Sequence, residues 1–219
     1  MSNTAPAFRN RISYQALLLG GFSFIATALL VLGNLATVDA IEERMREDLR
    51  ASLSQVIPAS VHDNDLLANP LAFEDDNGRP LTVYRGTEGL EVRAVAWEIV
   101  GKGYAGDIRL ILGIAANGDV LGVRVLSHTE TPGLGDKIEA SRDDWILGFD
   151  GLSLGNPPID RWKVDKDGGQ FDAFSGATIT PRAVVAAIRD GLEFFKRHRT
   201  ALVSPVVITT PALSQESAQ

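Results

Sequence analysis

A long uncharged segment near the N-terminus is the feature that most constrains how this chain can fold. No charged side chain occurs between Arg11 and Asp39, and most residues between them are apolar. A membrane-spanning helix needs roughly 20 such residues, whereas a signal peptide has an apolar core of only about 7–15 residues before a small-residue cleavage site. Residues 35–40 loosely resemble such a site. The length nevertheless favours a retained anchor over residues 12–38.

The charges that flank this segment predict its orientation. Arg9 and Arg11 precede it without an acidic residue, and the far side begins with Asp39. Positive residues beside a span tend to stay in the cytoplasm. We therefore expect residues 1–11 to be cytoplasmic, the span to cross a bacterial inner membrane once, and the main domain to lie in the periplasm.

Composition excludes several classes of function. The chain has no cysteine, which excludes thiolate-ligated iron–sulfur clusters and covalent c-type haem. Its three histidines are scattered without metal-ligand spacing, so we predict no metal site. Without Arg9 and Arg11, the chain has 19 basic and 28 acidic residues, a net charge of −9. A surface this acidic repels phosphate backbones, which argues against a nucleic-acid partner.

The remaining sequence pattern predicts an α+β domain that follows the anchor. Apolar residues recur every four positions after Asp39, which predicts a membrane-proximal helix over residues 39–58, ended by Pro58. An exported domain is expected over residues 59–199 and a disordered tail over residues 200–219. Within that domain we predict strands over 90–100, 108–116 and 120–126 with a hairpin turn at Asn117-Gly118, a helix over 137–149, a short hairpin of 161–164 with 170–174, and a helix over 181–198.

The segment 172–181 is the best candidate for chemistry. A predicted strand ends at Phe174 and a predicted helix begins at Pro181, with Thr180 as the expected N-cap. The small residues between them allow close approach to the backbone, and a helix N-terminus favours a bound phosphate. On these grounds alone a capped turn without a ligand remains an open alternative.

Three ordered motifs resemble those of a known flavoprotein family. Residues 172–178, Asp-Ala-Phe-Ser-Gly-Ala-Thr, resemble the flavinylation motif Asp-x-x-Ser-Gly-Ala-Thr. Residues 103–108 resemble a Gly-Tyr-x-Gly segment, and residues 128–135 resemble a His-x-Glu-Thr-Pro-Gly-Leu-Gly loop. Over roughly residues 10–198 the chain is similar to the G subunit of the Rnf electron-transport complex and to the C subunit of sodium-translocating NADH:quinone reductase. The short chain with little inserted material favours the Rnf G subunit.

The resemblance implies a covalent cofactor. In proteins with this motif a dedicated flavin transferase joins FMN through its phosphate to the last threonine, here Thr178, as a phosphodiester. Asp172 matches the position that the transferase recognises. The other implied contacts are Ser175, Gly176 and Ala177 at the phosphate, and Glu130, Thr131 and Leu134 beside the isoalloxazine ring.

Three residues of these motifs also have ordinary interpretations. Without the resemblance, Glu130 would be an exposed loop acid, and Tyr104 could equally belong to the core. His128 is expected to form hydrogen bonds within its loop rather than to shuttle protons. Ser175 is a poor candidate for a hydrolase nucleophile, because the segment lacks Gly-x-Ser-x-Gly and no histidine is an evident base.

The function that the resemblance implies is electron relay. In the Rnf complex the G subunit is one link between reduced ferredoxin and NAD, coupled to ion movement across the membrane. The implied partners are the other proteins of the complex, the membrane and the flavin transferase. Two alternatives stay open: a membrane-anchored flavin domain of another periplasmic reductase or redox sensor, and a flavin-free periplasmic scaffold.

Overall fold

The computed structural model describes residues 12–205. The chain divides into two compact units between Leu49 and Arg50. The elements are α1 (Ile12–Val56), β1 (Leu71–Glu74), β2 (Pro80–Glu88), β3 (Glu91–Lys102), β4 (Asp107–Ala115), β5 (Val120–Ser127) and α2 (Ile179–Leu202). Together they confirm the predicted fold class, an α+β protein with a long N-terminal helix, an antiparallel sheet and flanking helices.

Helix α1 is one continuous helix of 45 residues that joins the predicted anchor to the predicted membrane-proximal helix. It ends at Val56, two residues before Pro58, because the residue before a proline is disfavoured in helical conformation. By length and composition it is the one helix in the described range that could span a membrane, and its apolar window is not buried. Large apolar side chains along it, such as Phe24 and Leu30, are 75% exposed.

The sheet is an antiparallel meander in the order β1-β2-β3-β4-β5. The predicted hairpin at Asn117-Gly118 is confirmed: Gly118 has φ of 106°, which glycine adopts without strain, and it joins β4 to β5. The prediction missed β1, which lies before all of the predicted strands. β1 is a short strand at the edge of the sheet and pairs with β2.

The hydrophobic core lies between one face of the sheet and α2. Helix α2 packs against β3 and β4 and contributes the predicted apolar side chains, all of them buried: Val184, Val185, Ile188, Leu192 and Phe195. The opposite face meets the last turn of α1 through small residues. A Cβ on Gly113 would lie 2.1 Å from the Val56 carbonyl oxygen, so only glycine permits this contact.

The segment between β5 and α2 differs from the prediction. The expected helix over 137–149 is wrong; two separate 3-10 helices, Asp136–Ile138 and Asp144–Phe149, take its place. The second begins where the Asp143 carboxylate accepts the Trp145 backbone N–H at 3.0 Å, a local capping bond. These short helices leave their apolar side chains to pack individually.

The expected hairpin of 161–164 with 170–174 is also wrong. The two stretches meet in an isolated parallel bridge between Val164 and Phe171, with backbone hydrogen bonds from Gln170 and Phe171 to the Lys163 carbonyl oxygen at 3.0 and 3.2 Å. An aromatic cluster holds this region instead: the Phe149 ring lies 4.7 Å from Phe171 and 6.2 Å from Trp162, centroid to centroid. Ring packing, together with backbone hydrogen bonds that form no regular hairpin, therefore fixes the chain before the candidate site.

Helix α2 is longer than predicted. It begins at Ile179, two residues before the predicted start, and ends at Leu202, inside the predicted tail. The rest of that predicted tail, residues 206–219, and the predicted cytoplasmic residues 1–11 lie outside the described residues.

Candidate functional site

One buried carboxylate joins two of the motifs to the start of α2. Glu130, on the loop after β5, is only 5% exposed. Its Oε1 accepts the backbone N–H of Ala105 at 3.0 Å, and its Oε2 accepts the hydroxyl of Thr180 in the first turn of α2. The interpretation of Glu130 as an exposed loop acid is therefore wrong. The carboxylate fixes the β3–β4 turn and the start of α2 against one loop.

Two glycines make room for this carboxylate. A Cβ on Gly103 would lie 2.4 Å from Glu130 Oε1, and a Cβ on Gly135 would lie 2.9 Å from Thr180 Oγ1. Both distances are too short for any larger residue without displacement of the carboxylate or its partner. The glycines of the two loop motifs therefore have a steric role beside Glu130.

His128 supports the same loop. Its Nδ1 accepts the Glu130 backbone N–H at 3.0 Å, and its Nε2 lies 2.7 Å from Glu139 Oε1. The hydrogen bond from His128 is the main cause that lowers the pKa of Glu139 below its ordinary value. These contacts confirm His128 as a loop hydrogen-bonding residue.

The turn before α2 places Thr178 directly at the helix start. Gly176 has φ of 84°, a conformation that side chains rarely adopt, so the turn requires glycine there. Thr178 is the N-cap residue, with φ of −64° and no capping hydrogen bond from its side chain. Its hydroxyl is thus not committed to the helix backbone, and the residue is half-buried.

The prediction that Thr180 caps this helix is wrong. Thr180 lies inside the first turn and is fully buried. Its hydroxyl donates a hydrogen bond to Glu130. Pro181 consequently occupies the third helical position, where its missing N–H still costs no intrahelical hydrogen bond.

A lysine contacts the hydroxyl of Thr178. Lys166, in the 3-10 helix Asp165–Asp167, donates from Nζ to Thr178 Oγ1 at 3.0 Å. The next residue, Asp167, accepts two hydrogen bonds from the Arg182 guanidinium, at 2.6 and 2.9 Å. The hydrogen bond from Arg182 lowers the pKa of Asp167, and that same bond raises the pKa of Arg182.

Exposed apolar side chains lie in two of the motifs and directly after Thr178. Leu134 is 43% exposed, Ile179 45% and Tyr104 73%, so the interpretation of Tyr104 as a core residue is wrong. A Cβ on Gly176 would be 3.6 Å from Leu134 Cδ2, which brings the loop after β5 against the turn. Exposed apolar side chains next to a few polar groups are typical of a ligand-binding surface.

The other predicted site residues differ in their exposure. Ser175 and Thr131 are exposed, Ala177 is half-buried, and Asp172 is exposed on the segment that leads into the turn. The Trp145 indole donates to the Asp172 carbonyl oxygen at 3.0 Å, and its ring lies 5.1 Å from that of Phe174. Trp145 therefore fixes the backbone of the motif.

The structure thus brings together all three predicted motifs. Sequence reasoning missed two partners: Thr180, interpreted as a cap, and Lys166, which precedes its contact by twelve residues. The only sequence signal for Thr180 was a small, hydroxyl-bearing side chain between Ile179 and Pro181. No group of three or more histidine, cysteine, aspartate or glutamate side chains is placed to bind a metal within residues 12–205.

Comparison with known proteins assigns this site to a class. Residues 103–193, which contain all three motifs, match the family described as FMN-binding domain. Residues 1–56 match the family described as RnfG N-terminal region. The class is therefore an FMN-binding domain that follows a long apolar N-terminal helix.

Relatives that match along most of the chain identify the family. The G subunit of the ion-translocating oxidoreductase complex of Cereibacter sphaeroides is 54% identical over 192 residues, with 88% of each chain covered. Its counterpart in Stutzerimonas stutzeri is 48% identical, covering 89% of this chain and 85% of the relative, and that of Vibrio cholerae is 44% identical, covering 87% and 93%. The chain belongs to the family of ion-translocating oxidoreductase complex G subunits, the RnfG family.

Solved structures show a more distant likeness. NqrC of Shewanella oneidensis is 22% identical, with a TM-score of 0.46 over 67% of this chain and 73% of that one. The C subunit of the Na(+)-translocating NADH-quinone reductase of Parabacteroides distasonis is 19% identical, with a TM-score of 0.44 over 57% and 65%. The family assignment rests on the sequence relatives.

Proposed function

We propose that this chain is an electron-relay component of a membrane-bound ion-translocating complex and that it carries FMN as a phosphodiester on Thr178. The observation that carries the proposal is the state of the Thr178 hydroxyl. It stands at the start of α2 without a capping bond, within 3.0 Å of the Lys166 ammonium, beside a surface of exposed apolar side chains. A threonine that only capped a helix would use its hydroxyl on the backbone.

The turn around Thr178 suits a phosphate. In the proposal, Ser175, Gly176 and Ala177 line it, and the positive φ of Gly176 lets the backbone approach without a Cβ in the way. The start of α2 adds partial positive charge, which favours an anion there. Asp172, exposed before the turn, is the proposed recognition point for the flavin transferase.

The surface beside the turn suits an isoalloxazine ring. Leu134 and Ile179 are 43% and 45% exposed, and a ring that covered them would remove apolar area from water. Thr131 lies at the turn of the same loop, where its carbonyl oxygen accepts the Leu134 backbone N–H at 3.1 Å. Glu130 is proposed to hold this loop in place, because its carboxylate is buried between Ala105 and Thr180.

The tethered flavin supplies one- and two-electron transfer, and the chain supplies its position. A covalent phosphodiester keeps the flavin from dissociating during repeated turnover. Gly101, Gly103 and Gly106 have the spacing Gly-x-Gly-x-x-Gly, but they join the antiparallel strands β3 and β4. A dinucleotide site needs that spacing between a strand and a helix, so we expect electrons to come from protein partners rather than from NADH bound here.

The complex that the family name describes supplies the proposed context. We infer that this protein is one link between reduced ferredoxin and NAD, held in the bacterial inner membrane by the apolar part of α1. The N-terminus is proposed to be cytoplasmic and the FMN-binding domain periplasmic, because Arg9 and Arg11 precede the uncharged segment.

The test is the intact mass of the full chain, produced with and without a flavin transferase. Wild type should gain the mass of FMN less one water only with the transferase, and the denatured band should keep flavin fluorescence. Thr178→Ala should gain nothing. Thr82→Ala, an exposed threonine on β2, is the matched control and should behave as wild type. A wild-type chain that gains no covalent flavin in the presence of the transferase would contradict the proposed linkage.

A second experiment tests the relay. Fully flavinylated chain is mixed with NADH in a stopped-flow instrument and, separately, with dithionite. We expect reduction by dithionite and no rapid bleaching by NADH. Rapid stoichiometric bleaching by NADH would instead make the chain a reductase in its own right.

A further inference from the structure

Lys166 contacts the proposed attachment point, and its neighbours Asp165 and Asp167 both form hydrogen bonds that hold its loop. Its Nζ lies 3.0 Å from Thr178 Oγ1, the atom that the proposed function esterifies. None of the three motifs that resemble the flavoprotein family includes Lys166, because they cover residues 103–108, 128–135 and 172–178.

The backbone around Lys166 is closed on itself. Asp165 donates its N–H to the Phe171 carbonyl at 2.7 Å, and its Oδ1 accepts the N–H groups of Lys166 at 2.7 Å and Ala173 at 3.0 Å. A Cβ on Gly169 would lie 1.8 Å from the Lys163 carbonyl oxygen, so the loop closes only around glycine. The loop that carries Lys166 is thereby tied to the extended segment that leads into Thr178.

An ion pair ties the same loop to α2. Asp167 and Arg182 form two hydrogen bonds, at 2.6 and 2.9 Å, and Arg182 also donates its backbone N–H to the Thr178 carbonyl at 3.3 Å. Arg182 thus contacts both Asp167, in the loop of Lys166, and Thr178. A paired guanidinium and carboxylate have a defined relative geometry, which limits how far the loop can move from the helix start.

We propose that Lys166 is the counter-ion of the flavin phosphate and a positioning residue for the tethered FMN. The inference rests on the proposed function. A phosphodiester on Thr178 Oγ1 keeps one negative charge, and its charged oxygens are bonded to the phosphorus next to that atom. An ammonium that already contacts Oγ1 can donate to those oxygens, and such charge-assisted hydrogen bonds are stronger than the bond to a neutral hydroxyl.

The Lys166 side chain contributes little to the stability of the fold unless a phosphate is present. Without the phosphate, Lys166 makes one exposed hydrogen bond, which contributes little. With the phosphate, the same side chain neutralises a fixed charge. Lys166→Ala should therefore leave the unflavinylated chain nearly unchanged and affect the flavinylated chain.

The test compares full-length wild type, Lys166→Ala, Lys166→Arg and Lys163→Ala, each with and without covalent flavin. Lys163 is exposed on the same loop, and its charge acts on Asp167, so its removal is the matched control for a lost positive charge. The readouts are the melting temperature of each form at low and high salt, and the initial rate of flavin incorporation with purified transferase.

Flavinylation should raise the melting temperature of wild type more than that of Lys166→Ala, by about 1–3 °C at low salt, the scale of one partly exposed ion pair. Salt should reduce this difference. Flavin incorporation should be slower in Lys166→Ala by up to about fivefold, with Lys166→Arg restoring most of both effects. Lys163→Ala should follow wild type.

Two outcomes would overturn the inference while leaving the proposed function intact. Equal behaviour of Lys166→Ala and Lys163→Ala in both readouts would show that Lys166 is an ordinary surface lysine. A slower rate with no difference in melting temperature would place Lys166 in transferase recognition. Failure of wild type to acquire flavin at all would instead contradict the proposed function.

Discussion

The hydroxyl of Thr180 donates a hydrogen bond to the buried carboxylate of Glu130, fifty residues earlier in the chain. Glu130 Oε1 also accepts the Ala105 backbone N–H at 3.0 Å, so one side chain links two loops and the start of α2. Because Thr180 is two residues from Thr178, this bond sets where the proposed attachment point stands relative to the loop that carries Leu134.

We first predict strong coupling between Glu130 and Thr180. Glu130→Ala and Thr180→Val should each lower the free energy of unfolding by about 1–3 kcal/mol, because each leaves a buried polar group without its partner. The double variant should lose less than the sum, with a coupling of about 0.5–3 kcal/mol. Urea unfolding of the full chain, followed by tryptophan fluorescence, measures all four corners of the cycle.

The control cycle pairs Glu130→Ala with Thr82→Val on the exposed side of β2. Those two changes should add within about 0.3–0.5 kcal/mol. Additive behaviour of Glu130 and Thr180 as well would contradict the role of this hydrogen bond.

Gly103→Ala should disturb the site through Glu130. The new Cβ would lie 2.4 Å from Glu130 Oε1 and 2.8 Å from Ile108 Cδ1, and overpacking of this kind costs about 1–3 kcal/mol. Flavin incorporation should fall with the displaced carboxylate. Gly148→Ala is the control, since nothing lies within 4 Å of its Cβ position. Equal unfolding curves and equal flavin yields for the two variants would refute the steric argument.

Asp76 should make stability depend on acid pH. It accepts hydrogen bonds from His198 Nε2 at 2.7 Å and Arg197 at 2.5 Å, which joins the β1–β2 turn to the end of α2. The bond from His198, followed by that from Arg197, lowers the pKa of Asp76 below its ordinary 3.8. A carboxyl with a lowered folded pKa stabilises the fold above its unfolded pKa and loses that contribution as the pH falls through the folded value.

Wild type should therefore lose unfolding free energy below pH 3.8 more steeply than Asp76→Asn does. The measurement is urea unfolding between neutral pH and the acid limit of reversibility. Asp160→Asn, another exposed carboxyl, should keep the wild-type slope. Identical profiles for the two variants would contradict the assigned ion pair.

The orientation of the anchor is testable with reporters. A reporter active only in the periplasm, fused after Asp39, should be active, because two arginines and no acidic residue precede the uncharged segment. A reporter active only in the cytoplasm, at the same junction, is the matched control and should be silent. Activity of the cytoplasmic reporter would reverse the proposed placement of the FMN-binding domain.

Local signals explain which parts of the fold were predictable. The hairpin at Gly118 and helix α2 follow from a turn dipeptide and from apolar periodicity, both of which act over a few residues. The segment between β5 and α2 does not, because Phe149, Trp162 and Phe171 pack across intervals of nine to twenty-two residues. Ring packing of this kind leaves no period in the sequence.

In the candidate site too, local features could be predicted from the sequence and tertiary contacts could not. Resemblance to a family located the three motifs, and glycines such as Gly176 mark a turn that needs positive φ. The partners of the site residues could not be predicted, since Thr180 meets Glu130 and Lys166 meets Thr178 only after the sheet and α2 have packed. A hydroxyl beside Pro181 suggests a helix cap on local rules, and a tertiary contact overrides that preference.

The central claim is that the flavin is bonded to Thr178, and peptide mapping tests it most directly. Cleavage after Lys166 and Arg182 releases residues 167–182, a single peptide whose three hydroxyl-bearing side chains are Ser175, Thr178 and Thr180. Fragmentation of this peptide from chain produced with the flavin transferase should place the added FMN on Thr178 alone. FMN on Ser175, on Thr180 or on any other peptide would contradict the account.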